Sequence, residues 1–195
     1  VSVLKNIQEQ IGNWSRRNFG SQIAKHGVLE SVQLEHVAPL LGLAEEAGEL
    51  AEAVSAEEAL DAFGDIGVYL CDYCCRAGLD LEEVAQTTGV DPKYYMGNPI
   101  NGITAGIALL CRAHLKQAQG IRGFNDLHVF VTAQRQAVAV LWVSLNRSTP
   151  TVDLKDYVAD ILLPVAKKVL KRDWVERPND ANEATEVPEV PNPVS

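Results

Sequence analysis

The chain has 195 residues, 47 % of them hydrophobic and 6 % aromatic, with a formal net charge of −9. That length can bury a real core in one domain or two small ones, and the negative charge disfavours a nucleic-acid polymer as partner. The longest apolar runs, such as Ala137–Leu145, are too short to span a bilayer, no stretch has the pattern of a signal peptide, and the neighbouring Cys74 and Cys75 cannot easily bridge each other; the expectation is a cytoplasmic protein with reduced thiols and no membrane partner.

Alanine and leucine dominate over aromatics, which favours helix over sheet. Val3, Leu4, Ile7, Ile11 and Trp14 fall at helical spacing and predict a first helix from Val3 to about Arg17. The stretch "FGSQIAKHGV" breaks that pattern, and a second helix is expected from about His36 or Pro39 to Val54. Ser55 followed by Glu58 is a capping-box signature, so a third helix starts there and runs to about Arg76. "DLEE" at Asp80–Glu83 repeats the signal for a short fourth helix, and "TTGVDPKYYMGNP" is a connector rich in turn residues. Further helices are expected from about Ile100 to Gln119, from about Asn125 to Asn146, and from Asp153 to about Lys171, the last kinked or split at Pro164. Residues 178–195 hold four prolines, four acids and no Lys or Arg, the composition of a disordered tail.

The fold class that follows is all-α, a bundle of antiparallel hairpins in a single domain over residues 1–177. Its halves, about 1–90 and 98–177, can be laid over each other. Asp65–Val84 matches Ala137–Val158, and Leu41–Ala53 parallels Gly106–Ala118. Cys111 and His114 then replace Glu46 and Glu49, and Ala137 or Val138 replaces Asp65. The overlay reads either as an acidic half with a degenerate copy or as a chance likeness of two hairpins.

The acids carry the chemistry. Glu45, Glu49 and Glu52 form one stripe of the second helix with Glu46 beside it, which alone would be a solvated face. The third helix changes the odds, because Asp61, Asp65 and Asp72 lie on a helix that is otherwise apolar nearly all round. Such a helix is usually buried, and a buried carboxylate is costly unless paired or bound to metal. Glu49 lies six residues before Ser55 and Asp61 six after, while Glu46 lies nine before and Asp65 ten after. Across a short loop these pairs lie level, so four carboxylates can converge, and hard oxygens in that number select Mg²⁺ or Mn²⁺. Glu58, already employed by the cap, and Asp72, which can reach solvent, rank below them.

"LGLAEEAGELAEA" followed by "EEALDAFGDIGVYL" resembles the E-x-x-E and E-x-x-D helices of MazG-like all-α NTP pyrophosphohydrolases, and "NWSRRNFG" is similar to the segment upstream of the first motif. The resemblance covers about residues 4–90. It implies a Mg²⁺-dependent hydrolase that cleaves a nucleoside triphosphate, or a deoxynucleotide such as dUTP, into the monophosphate and pyrophosphate. Glu46 and Glu49 match E-x-x-E, and Asp65 best matches the aspartate of E-x-x-D. Three residues before Asp65 stands Ala62, so either Asp61 supplies that carboxylate or Glu58–Asp61 is the motif and Asp65 an added ligand. Glu46 is nominated to orient or deprotonate water. For phosphates, the stretch "GVDPKYYMGNP" after the second motif offers only Lys93. Family members are commonly oligomers; a homodimer, or a monomer whose duplicated halves mimic one, is expected.

Lys116 and Arg122 flank a Gly-bracketed turn and read equally as phosphate ligands or as a basic helix end. Trp14 is a candidate base-stacking platform, although its spacing reads first as core. Cys71-x-x-Cys74 with Cys111-x-x-His114 would make a four-ligand zinc set and anchors the rival reading, a zinc-stabilised helical binding module. Small cysteines buried on apolar helices account for the same residues.

Overall fold

A computed structural model describes residues 2–20, 32–86, 90–91, 98–147, 156–173 and 175. Among them all regular structure is helical and no strand occurs. The expected tail at 178–195, most of the connector including Lys93, and the break after Gly20 lie outside the described residues.

Helix α1 (Val3–Ser15) starts at Ser2, whose hydroxyl accepts the Lys5 N–H at 3.2 Å, and runs into a π-helical turn over Arg16–Gly20. Helix α2 spans Val32–Glu52. It begins before the expected His36 or Pro39, and Pro39 lies inside it. A proline removes one N–H and crowds one turn, which a helix of 21 residues can absorb. Helix α3 (Ala56–Ala77) opens on the expected capping box: Ser55 Oγ accepts the Glu58 N–H at 3.1 Å, and the Glu58 carboxylate accepts the Val54 N–H at 2.8 Å. It ends at Gly78, whose φ of 65° is the left-handed conformation that favours glycine. Asp80 caps the short α4 (Leu81–Ala85) through the Glu82 and Glu83 N–H groups.

Asn98 caps α5 (Pro99–Ala118), and α6 spans Leu127–Arg147. The last helix, α7, is split, with a π-helical segment Val158–Leu162 and an α-helical segment Leu163–Val169. Pro164 sits in the first turn of the second segment, where its missing N–H costs little.

Helices α2 and α3 pack as one hairpin and α5 and α6 as the other, joined face to face through α2 and α5. Helix α1 lies along α3, and two further contacts are reciprocal. Helix α4, which follows the first hairpin, packs on α6 of the second; α7, which follows the second, packs on α3 of the first. Phe63, Ile66, Leu70 and Tyr73 of α3 are buried in one continuous core with Ile11, Leu43, Leu110, Leu141 and Leu162. Burying a large apolar side chain contributes about 1.5–3 kcal/mol, so α3, with 11 buried residues, is the axis of the fold. Glycine allows the closest approaches to it. A Cβ at Gly42 would strike the Tyr69 ring, and one at Gly67 would strike the Tyr157 hydroxyl, which donates to the Phe63 carbonyl at 2.7 Å.

Candidate functional site

Four elements leave a cavity of about 290 Å³ between them: the end of α1 with its π turn, the middle of α2, the face of α3, and the end of α7 with the residues after it. One wall is apolar and aromatic, built by Trp14, Phe19, Val68 and Tyr69. Trp14 and Phe19 meet edge to face with ring centroids 5.5 Å apart. Glu46 from α2 and Asp65 from α3 also line the cavity, as does Arg172 beyond α7.

Glu46 is only 8 % exposed, and its Oε2 has no hydrogen-bond partner among the described residues. A carboxylate buried without a partner costs several kcal/mol if charged, on the order of 1–3 even after relaxation. Burial first, then the charges of Asp65, Glu49, Glu45 and Asp61, push its pKa up to about 8. Asp65 is pushed up to about 6 by burial and Asp61, against the pull of Arg172 and Lys168. The carboxylates thus feel one another across the hairpin, as the level pairing around Ser55 requires.

The other sequence candidates separate. Glu49 is exposed and does not line the cavity. Asp61 points to a shallower hollow nearer the hairpin loop, where Lys168 Nζ donates to its Oδ1 at 3.2 Å. Glu58 is held in the α3 cap. Lys116 Nζ donates to Gln119 Oε1 at 3.0 Å, Arg122 is exposed with φ 57°, and neither lines the cavity. Trp14 does line it, serving as core and pocket wall at once.

Asp72 is nearly enclosed rather than solvated, and with Arg76 it lines the same cavity. It is buried, accepting from Arg76 Nε at 2.9 Å and from Ser15 Oγ at 2.7 Å, while Arg76 Nη2 also reaches Ser15 Oγ at 2.7 Å. The i, i+4 spacing of Asp72 and Arg76 was visible in the sequence; their burial under α1 was not. Arg172 was not nominated, since nothing local distinguishes it within "KKVLKRDW".

No protein-family model, curated protein or solved structure matches the chain. Among the described residues, no three His, Cys, Asp or Glu side chains are grouped so that they could hold a metal ion.

The zinc set in particular is not assembled. Cys71 and Cys74 are buried in the core, which drives both thiols upward in pKa, and Cys111 is exposed. His114 belongs to a different polar cluster, in which its Nε2 and the Tyr73 hydroxyl lie 2.8 Å apart and Gln134 Nε2 donates to that hydroxyl at 2.7 Å. His36 completes this cluster, its ring centroid 5.3 Å from that of His114. Helical spacing puts i and i+3 on one face of their own helix but does not say which neighbour that face meets.

An unpartnered carboxylate beside a second acid, an aromatic wall and an arginine in one cavity can bind a ligand that has a flat apolar part, an anionic part and a cation of its own. The donor set suits a hard ion. Mg²⁺ is usually held by one or two carboxylates with substrate phosphates and water completing the shell.

Proposed function

We propose that the chain hydrolyses a nucleoside triphosphate or deoxynucleotide to the monophosphate and pyrophosphate in a Mg²⁺- or Mn²⁺-dependent reaction. The observation that carries this reading is Glu46: a buried, unpartnered carboxylate facing the same cavity as Asp65, against an aromatic wall. The MazG-like motif residues Glu46 and Asp65 are the two that meet there.

Glu46 and Asp65 would hold the ion, which when bound neutralises charge on the phosphate oxygens. Trp14 and Tyr69 offer faces and edges to a base, and enclosing the ligand excludes bulk water from the reacting phosphate. Glu46 would orient the attacking water. The reciprocal packing of α4 on α6 and of α7 on α3 supports reading the second hairpin as an internal partner of the first. A chain built so would work as a monomer or assemble as a homodimer.

Screening the purified protein against nucleoside and deoxynucleoside triphosphates with Mg²⁺ or Mn²⁺, and detecting pyrophosphate, tests the proposal. Release that is lost in Glu46→Gln and Asp65→Asn supports it. Absence of release from every nucleotide with either ion removes it. A second reading, a binding pocket without turnover, is favoured by one observation: Asp61 is engaged by Lys168, Glu49 is exposed and Asp72 is paired with Arg76, which leaves Glu46 and Asp65 as the acids on the cavity without an ion-pair partner among the described residues. Nucleotide binding without pyrophosphate release would select it.

A further inference from the structure

We infer that Arg172 receives the anionic part of the ligand, so that a polyphosphate-type anion and a divalent cation bind this pocket cooperatively and neither binds well alone. This rests on the reading of Glu46 and Asp65 as cation ligands.

Arg172 lines the same cavity as both acids. Its position is fixed by the backbone around it. Trp14 Nε1 donates to the Arg172 carbonyl at 2.8 Å, the Arg172 N–H reaches the Val169 carbonyl at 2.9 Å, and the next residue, Asp173, pairs with Arg17 at 2.6 Å. The strap therefore closes over α1 and presents its cation to the pocket. That charge offsets the repulsion on Asp65 and is also felt by Tyr69.

The charge balance sets the order of events. Asp72 and Arg76 also line the cavity but offset each other as an ion pair; an anion entering alone therefore meets Glu46 and Asp65, and a divalent ion entering alone meets Arg172, with Lys168 beyond it at Asp61. In a partly enclosed cavity either step leaves charge poorly compensated, whereas anion and cation together neutralise both sides. A guanidinium presents planar paired donors that suit phosphate oxygens. The second half of the chain thus contributes its cation from the end of α7 rather than from Lys116 or Arg122.

The test uses the full chain and inorganic pyrophosphate, titrated calorimetrically with and without Mn²⁺, on wild type, Arg172→Gln, Arg172→Lys and Glu46→Gln. Wild type should bind pyrophosphate about ten-fold more tightly with Mn²⁺ present, a usual size for coupling between two ligands. Arg172→Gln should lose most of that gain while still taking up Mn²⁺, and Arg172→Lys should keep part of it. The Trp14 contact uses the Arg172 backbone, so these variants retain the strap. If Arg172→Gln binds pyrophosphate with Mn²⁺ as wild type does, Arg172 has no such role. If wild type binds Mn²⁺ but takes up pyrophosphate no better for it, the coupling fails and the acid pair stands. If Mn²⁺ binding is the same in wild type and Glu46→Gln, the reading of the acids falls and the inference falls with it.

Discussion

The indole N–H of Trp14 donates to the backbone carbonyl of Arg172 at 2.8 Å, joining positions 158 residues apart in the chain. The first helix is thereby tied to the strap that follows the last. Trp14→Phe keeps most of the ring and deletes the donor. It should cost about 1 kcal/mol in urea unfolding, the net value of one hydrogen bond. Hydrogen exchange should rise more at the Arg172 and Asp173 amides than in α3. Uniform exchange across both segments would show that the strap does not depend on this bond.

Glu46 gives the clearest pH signature. Its pKa rises from 4.5 in the unfolded chain to about 8 in the fold, so the native state holds its proton more tightly. Stability should therefore fall as pH rises from about 4.5 through 8. Glu46→Gln removes this liability. Without divalent ions it should raise stability on the order of 1–3 kcal/mol at alkaline pH and change little at pH ~5. Equal effects at both values would mean the carboxylate is better solvated than the fold suggests.

Divalent ions should reverse that ranking. Mg²⁺ or Mn²⁺ binds the native state and raises the melting temperature of wild type by linkage. Asp65→Asn should show a smaller rise and Glu46→Gln little or none. A wild-type melting curve indifferent to millimolar divalent ion would leave the crowding of Glu46 and Asp65 to some other partner.

The cluster of His36, Tyr73, His114 and Gln134 predicts acid lability. Burial, then the neighbouring His36, lowers the His114 pKa from 6.5 to about 4. The unfolded chain then binds the proton first, so this contribution is intact above pH 6.5 and is lost as pH falls towards 4. The ring is partly exposed, so the loss between neutral pH and pH ~5 is on the order of 1 kcal/mol rather than the full linkage value. His114→Gln should flatten the stability profile over that range. A profile of unchanged slope in the variant would place the sensitivity elsewhere.

Asp72 and Arg76 form a nearly enclosed ion pair with Ser15 bridging them. Removing one partner strands the other, so Asp72→Ala should cost about 3 kcal/mol in chemical denaturation. Replacing both at once, Asp72→Leu with Arg76→Met, should cost less than Asp72→Ala alone. A double variant that loses the sum of the two single losses would show that the two charges stabilise the fold independently.

The sequence by itself determined the local structure. Ser55, Asp80 and Gly78 mark helix ends because capping and left-handed geometry involve only neighbouring residues, and the ends fall where those residues stand. The apolar periodicity of α3 and the short Ser55 loop likewise foretold a buried helix carrying acids beside α2. Which acids share a cavity was a matter for the tertiary structure alone. Glu46 and Asp65 turn inward and Asp61 meets Lys168, 107 positions further on, because α7 packs across α3, whereas Glu58 stays in its local cap. The same distance hid Arg172, and it sent His114 to Tyr73 instead of to the cysteines. Caps and periodicity are written within a few residues; the partner of a charged side chain is fixed only when distant helices pack and decide which groups lose their water.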